Sequence, residues 1–285
     1  MFARTIAIPV FLVALIFLYL SWEVDEKYAL YIVPPVVLLA AIYILSPQIN
    51  WWWHQRRPPK LDPMVETLLG RYLKFYQNLS LSEKKRFRDR VALYLLSKEF
   101  MPQGMEAVPN DVKGLIAACP VWLTFGYEEF LLPKFERIVV YPHPFPSPQY
   151  PEHLHASEIF EEDGVIIFSL EHFMPGFLEP SRYYDIGLHE YARIFVRSHP
   201  HKHFPVFGDE LWGKLPYISG MTREAIAGWI GLPEVESLPV AIVHFFRFPD
   251  RFRAQLPKAY LSLCAIFRQE PATVASSPEP TFSAN

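Results

Sequence analysis

The sequence predicts an α+β, mainly helical protein in two parts: an N-terminal two-helix transmembrane hairpin and, behind it, a soluble domain that carries a small sheet. Three observations lead there. Two uncharged apolar runs open the chain, helical periodicity dominates from residue 64 onward, and two short β-branched runs interrupt that periodicity.

The first run, Thr5 to Trp22, reads TIAIPVFLVALIFLYLSW, and the second, Tyr28 to Ser46, reads YALYIVPPVVLLAAIYILS. At 1.5 Å of rise per residue, each is about long enough to cross a hydrocarbon core of roughly 30 Å. The connector Glu23 to Lys27 is short and mostly acidic, and Pro34 with Pro35 predicts a kink in the second span. A cleaved signal followed by a core helix is the competing reading. The lack of an A-x-A-like site and the length of the second run both count against it. Arg4 precedes the pair, and Arg56, Arg57 and Lys60 follow it, so the positive-inside rule places both ends and the soluble domain on the cytoplasmic side of an inner (cytoplasmic) membrane. Trp51, Trp52 and Trp53 are expected at headgroup depth.

The organisation that follows is a hairpin over 1–50, a juxtamembrane linker over 51–63, a folded domain over 64–270 and a tail over 271–285. The tail is rich in Ser, Pro, Ala and Thr and is expected to be disordered. Lys and Arg number 27 against 30 Asp and Glu, which leaves no global basic field and excludes nucleic acid as the expected partner. Cys119 and Cys264 lack any paired spacing, so neither a disulfide framework nor a cysteine zinc knuckle is expected.

Within the domain, Val65, Leu68, Leu69, Tyr72, Phe75 and Tyr76 form a 3.6-period stripe that predicts one helix over Met64 to Leu79. Ser82 is expected to cap a second helix, with Phe87, Val91, Tyr94 and Leu95 on its inner face and Glu83 to Arg86 solvated. A buried helix over Asp111 to Thr124 is interrupted by Pro120. Strands over Arg137 to Tyr141 and Val165 to Ser169 flank a Pro- and His-rich loop, and Gly164 to Ser169 is expected to be a sheet edge open to an extended peptide. Helices are then expected from Arg182 through Phe195, over Glu236 to Phe248 and over Phe252 to Arg268.

The segment Asp185-Ile-Gly-Leu-His-Glu-Tyr-Ala-Arg193 invites comparison with the H-E-x-x-H helix, in which two histidines one turn apart hold Zn²⁺ and the glutamate activates the metal-bound water. A lone His-Glu pair is weak evidence. Leu81 to Val91, Asp111 to Ala118, Ile138 to Pro142, Gly164 to Ser169, and Phe245 to Pro249 running on to Pro257 to Pro271 nevertheless occur in an order that resembles the MtfA family of zinc-dependent peptidases. The resemblance covers about Asp62 to Pro271 and is loosest between Val196 and Val235.

That resemblance implies a zincin-like metallopeptidase domain, zinc held by the two motif histidines and a later glutamate, and aminopeptidase activity. In the family's best-known member it implies a transcriptional repressor as protein partner. His189 matches the first ligand and Glu190 the general base, but Arg193 stands in the place of the second histidine. Laying the family pattern S-E-x-F-F on Ile242 to Phe246 puts Val243 at the third ligand, and His244, turned by about 100° of helix, would serve as a substitute ligand only after a register shift. A guanidinium has no lone pair to give a cation, so Arg193 is expected either to pair with Glu190 or another carboxylate or to point into solvent. His199, His201 and His203, like His153 and His155, read as solvated loop residues or as an adventitious metal tract.

Three readings of function follow. The first is a pseudoenzyme that holds no zinc and keeps a peptide- or protein-binding groove at the cytoplasmic face. The second is an active zinc-dependent aminopeptidase using His189, His244 and a loop histidine. The third is a structural membrane protein whose groove is filled in.

Overall fold

The computed structural model describes residues 2–271 and forms two units that part at Pro59. The tail expected to be disordered lies, from Ala272 onward, outside the described residues. The first unit holds α1 (Phe2–Glu23), a 3₁₀ stretch (Glu26–Ile32), α2 (Val33–Ile44) and α3 (Ser46–Arg56). Asp25 caps the 3₁₀ stretch by accepting from the Lys27 amide at 2.9 Å.

Pro34 and Pro35 do not kink a continuous span. They sit in the first turn of α2, where a missing N–H costs nothing, and the chain reaches them through the 3₁₀ stretch. The stretches Phe2–Glu23 and Glu26–Ile44 are long and apolar enough to cross a membrane, and only 6% and 11% of their apolar windows are buried within the protein. Residues 51–56, expected in the linker, are helical. Their indoles stack under the following arginines, with the Arg56 guanidinium 4.0 Å from the Trp52 ring centre and Arg57 4.5 Å from Trp53. The Ala3 amide donates to Asn50 Oδ1 at 2.9 Å and Phe2 stacks on Trp53 at 3.9 Å, so the two basic flanks of the hairpin meet at one end of it.

The second unit begins with α4 (Pro63–Tyr72) and α5 (Lys74–Asn78) in place of one helix. Leu73 breaks the run because its backbone turns extended while its side chain stays in the core. The cap of α6 (Leu81–Ser97) is Ser80, not Ser82. Ser80 and Glu83 form a reciprocal capping box, and the three-residue spacing to the glutamate selects the earlier serine. Helix α7 (Asn110–Leu123) runs through the centre with nearly every residue buried, and packs against α4, α6 and α9 (Ile186–Ser198).

Four strands make one sheet in the order β1 (Glu99–Pro102), β2 (Arg137–Tyr141), β4 (Val165–Ser169), β3 (Ser157–Phe160). The pairings β1–β2 and β2–β4 are parallel, and β3–β4 is antiparallel. This corrects the sequence reading twice. The Pro- and His-rich stretch is not all loop, since it contains β3, and the edge beside the motif helix is β3, with β4 paired on both sides. After β4 come α8 (Leu170–Leu178), then α9, α10 (Asp209–Ile218), α11 (Arg223–Ile230) and α12 (Ser237–Arg247). The expected last helix is two, α13 (Pro249–Gln255) and α14 (Pro257–Phe267), because Leu256 precedes a proline and turns out of the helical region.

Candidate functional site

Helix α9 carries the His-Glu pair. Asp185 starts it, accepting from the Leu188 amide at 2.9 Å, and the same carboxylate is ion-paired to Arg247 at the end of α12, both side chains buried. Arg247 is sandwiched 4.9 Å from the ring centres of Trp122 and Phe177. The pair pins the start of α9 to the end of α12. Gly176 on α8 lets that helix close on the turn before α9, since a Cβ there would stand 2.3 Å from the Tyr184 carbonyl oxygen.

His189 and Glu190 are both buried beside a cavity of about 440 Å³ that Tyr150, Arg223 and Glu236 also line. His189 Nδ1 is 2.8 Å from the Tyr184 hydroxyl. Burial pushes the His189 imidazole down to about 4, so it is neutral at pH 7, and burial also raises the Tyr184 phenol. Burial alone would raise Glu190. The Arg193 charge, the His189 ring and the Ser157 hydroxyl outweigh it and hold the carboxyl below its usual range.

Arg193 does not point into solvent. Its Nη1 donates to Glu190 Oε2 at 2.9 Å and its Nε to Glu236 Oε1 at 3.1 Å, while Ser157 Oγ donates to Glu190 Oε1 at 2.7 Å. Each oxygen of the would-be general base therefore already accepts one hydrogen bond, one of them from the residue standing in the second histidine's place. Arg193 itself stays charged, its proton held by the Glu190 charge against the cost of burial.

The expected substitute ligand fails on geometry. His244 is wholly buried, Nδ1 lies 2.7 Å from the Val240 carbonyl oxygen, and Nε2 lies 2.9 Å from Ser219 Oγ, so neither nitrogen is free. Val243 is buried and offers no donor. His199 stacks on Phe195 at 4.2 Å, with Nδ1 at 2.9 Å from its carbonyl oxygen, while His201 and His203 are exposed. His155, read as a loop residue, is instead fully buried and bonded to Glu158 at 3.1 Å. Among the described residues, no three His, Cys, Asp or Glu side chains converge on a point where a metal could sit. The donors around His189 do not fit zinc: the one imidazole is joined by a guanidinium that already binds Glu190 and Glu236, and Glu234, which also lines the cavity, completes no three-ligand group with them among the described residues.

Ser157, Tyr184, Asp185 and Glu236 escaped the sequence reading. Only Asp185 carried a local signal, an Asp three residues before Leu188 at a helix start.

A histidine-glutamate helix packed on a small mixed sheet, with a groove beside it, defines a metallopeptidase-type α+β domain. Residues 49–195 match the family of glucose-regulated metallopeptidases, M90, and the chain belongs to that family. It is also 26% identical over 108 residues to an uncharacterized protein of Synechocystis sp., a match that covers 38% of this chain and 39% of that protein. The chain thus spans about two fifths of the curated relative's length.

Proposed function

We propose that this chain is a membrane-anchored M90-family protein whose peptidase groove serves as a binding site for a peptide or protein partner at the cytoplasmic face, without hydrolysis. The observation that carries the reading is the bond between Arg193 and Glu190. A peptidase of this class needs that carboxylate free to accept a proton from water and needs three metal donors. Here the carboxylate is ion-paired to Arg193, which lowers its basicity, and one donor is in place.

The exposed apolar faces of α1 and α2 support the anchor. The meeting of Arg4 with Arg56 and Arg57 at one end of the hairpin supports a cytoplasmic position for both flanks. The cavity of about 440 Å³ beside α9 supports the binding role, since Tyr150, Arg223 and Glu236 line it together with the His-Glu pair.

The test uses the full chain in neutral-lipid nanodiscs, purified free of metal, with zinc measured per chain and aminoacyl chromogenic substrates assayed. The expected result is zinc well below one per chain and no turnover. Stoichiometric zinc that His189→Ala removes, together with chelator-sensitive turnover, would overturn the proposal. The double variant Arg193→His/Val243→Glu should bring zinc to one per chain; failure to gain metal would refute the assignment of the third ligand position to Val243. A pull-down from cytoplasmic lysate should retain a specific partner, whereas a groove filled by its own side chains retains none.

A further inference from the structure

A second cavity in the Lys60–Pro271 unit is larger than the one beside His189. It encloses about 830 Å³ between α5, α7 and the α12–α13 junction, within the range of small-molecule sites. Its floor is aromatic. Phe75, Trp122 and Phe246 are buried there, and Phe248 is half-buried at the mouth.

The charge on the rim of this cavity points to a ligand. The rim carries Arg71, Lys74, Arg182 and Arg251, all exposed, and none makes an ion pair among the described residues. Against these four cations the rim sets two carboxylates, Glu179 and Asp250. Arg247 also lines the cavity, but Asp185 already neutralises it. An aromatic pit with a cationic rim is complementary to a molecule with an apolar body and an anionic head.

We propose that this cavity binds an amphipathic anion, an aromatic or aliphatic body bearing a phosphate or carboxylate. The body stacks among Phe75, Trp122 and Phe246, and the head meets the rim arginines. A soluble organic phosphate and an anionic lipid headgroup share this chemistry, and the experiment separates them.

The full chain, labelled with 5-fluorotryptophan and placed in phosphatidylcholine nanodiscs, is titrated with 1-naphthyl phosphate while the Trp122 ¹⁹F resonance is followed. The resonance is assigned by its loss in Trp122→Phe. Inorganic phosphate and 1-naphthol are the head-only and body-only controls. A parallel sample carries phosphatidic acid in the disc and no soluble probe.

The expected result is a saturable shift with 1-naphthyl phosphate, or a shift caused by phosphatidic acid. Either should be weakened at least tenfold in Arg71→Glu/Arg182→Glu, two changes at exposed side chains that make no hydrogen bond among the described residues, with the fold checked by circular dichroism. Which arm shifts the resonance names the source. No shift in either arm overturns the proposal. So does a shift that 1-naphthol reproduces at equal affinity, or one that the charge reversal leaves unchanged.

Discussion

Arg193→Met tests whether the guanidinium holds the site together. The substitution keeps the stem and removes the charge, leaving Glu190, 1% exposed at its side chain, with one remaining donor, the Ser157 hydroxyl. Breaking a buried ion pair by removing one partner costs about 3–5 kcal/mol. Arg193 is 20% exposed, so water can reach part of the vacated space, and the low end, about 3 kcal/mol, is the better expectation. At roughly 2–4 °C per kcal/mol for a domain of this size, that is a fall of about 6–12 °C in the unfolding midpoint of the second unit.

The effect has a definite pH sign. In the parent, Glu190 titrates below its unfolded value, so its contribution is fully present above the unfolded carboxyl pKa and is lost as pH falls through the folded one. In the variant, burial acts without its counterweight and raises the Glu190 pKa, so the folded state takes up a proton. The deficit should therefore be largest near pH 8 and shrink towards pH 5. Thermal unfolding of the full chain in nanodiscs, followed by near-ultraviolet circular dichroism across that range, reads both the size and the slope. A fall of under about 2 °C that does not change with pH would show that Glu190 does not depend on Arg193, and the argument for a locked site would go with it.

Other perturbations separate the supports of the site. Asp185→Asn keeps a capping oxygen but loses the charge facing Arg247, and should cost about 3 kcal/mol in chemical denaturation; Asp185→Ala loses the cap too and should cost about 1 kcal/mol more. Gly231→Ala places a Cβ 2.2 Å from the Leu154 carbonyl oxygen at a residue with φ of 86°, so it should lower the unfolding midpoint and loosen the amide of Ala156, which donates to Ile230 at 2.8 Å, in hydrogen exchange. His189 and His244 are both held down to about 4 by burial, so the unfolded chain takes up protons between about pH 6.5 and 4 that the folded chain refuses. Stability should fall on acidification by up to about 1.4 kcal/mol per pH unit for each histidine, and His244→Gln should remove about half of that slope in urea titrations from pH 7 to 5.

Much of this was legible in the sequence because it is local. The apolar runs, the central helix ending near Thr124 and the three-residue spacing of Glu190 and Arg193 are all features that a few residues of sequence specify. The parts that were not legible depend on distant partners or on single backbone torsions. Glu236 reaches Arg193 from 43 residues away, Ser157 reaches Glu190 from 33, and nothing near either residue marks it as part of the site. Strands β1 and β3 are four residues each and show no clean alternation, since Ser157, Glu158 and Ile159 are all buried. Leu73 and Leu256 break helices that the apolar stripe alone would continue, although Pro257 supplied a local reason at the second of them.

The charge arrangement explains how an M90-family scaffold accommodates an arginine one turn after its His-Glu pair. Glu190, Arg193, Glu236, Arg197, Glu161 and Lys134 form an alternating chain from the buried groove to the surface, with N–O separations of 2.9, 3.1, 3.7, 3.6 and 2.5 Å in that order. Its outer links are exposed and screened, and each is worth little. Its inner link is not. There a cation fixed to α9 satisfies a carboxylate that a free metal would otherwise face, and the second arginine bond ties α9 to the residue that leads into α12. Any partner that displaced Arg193 from Glu190 would leave a buried carboxylate with only a hydroxyl for company, a cost of about 3 kcal/mol that its own contacts would have to exceed. A bound segment is therefore favoured where it leaves that pair intact and takes its contacts from the rim of the groove.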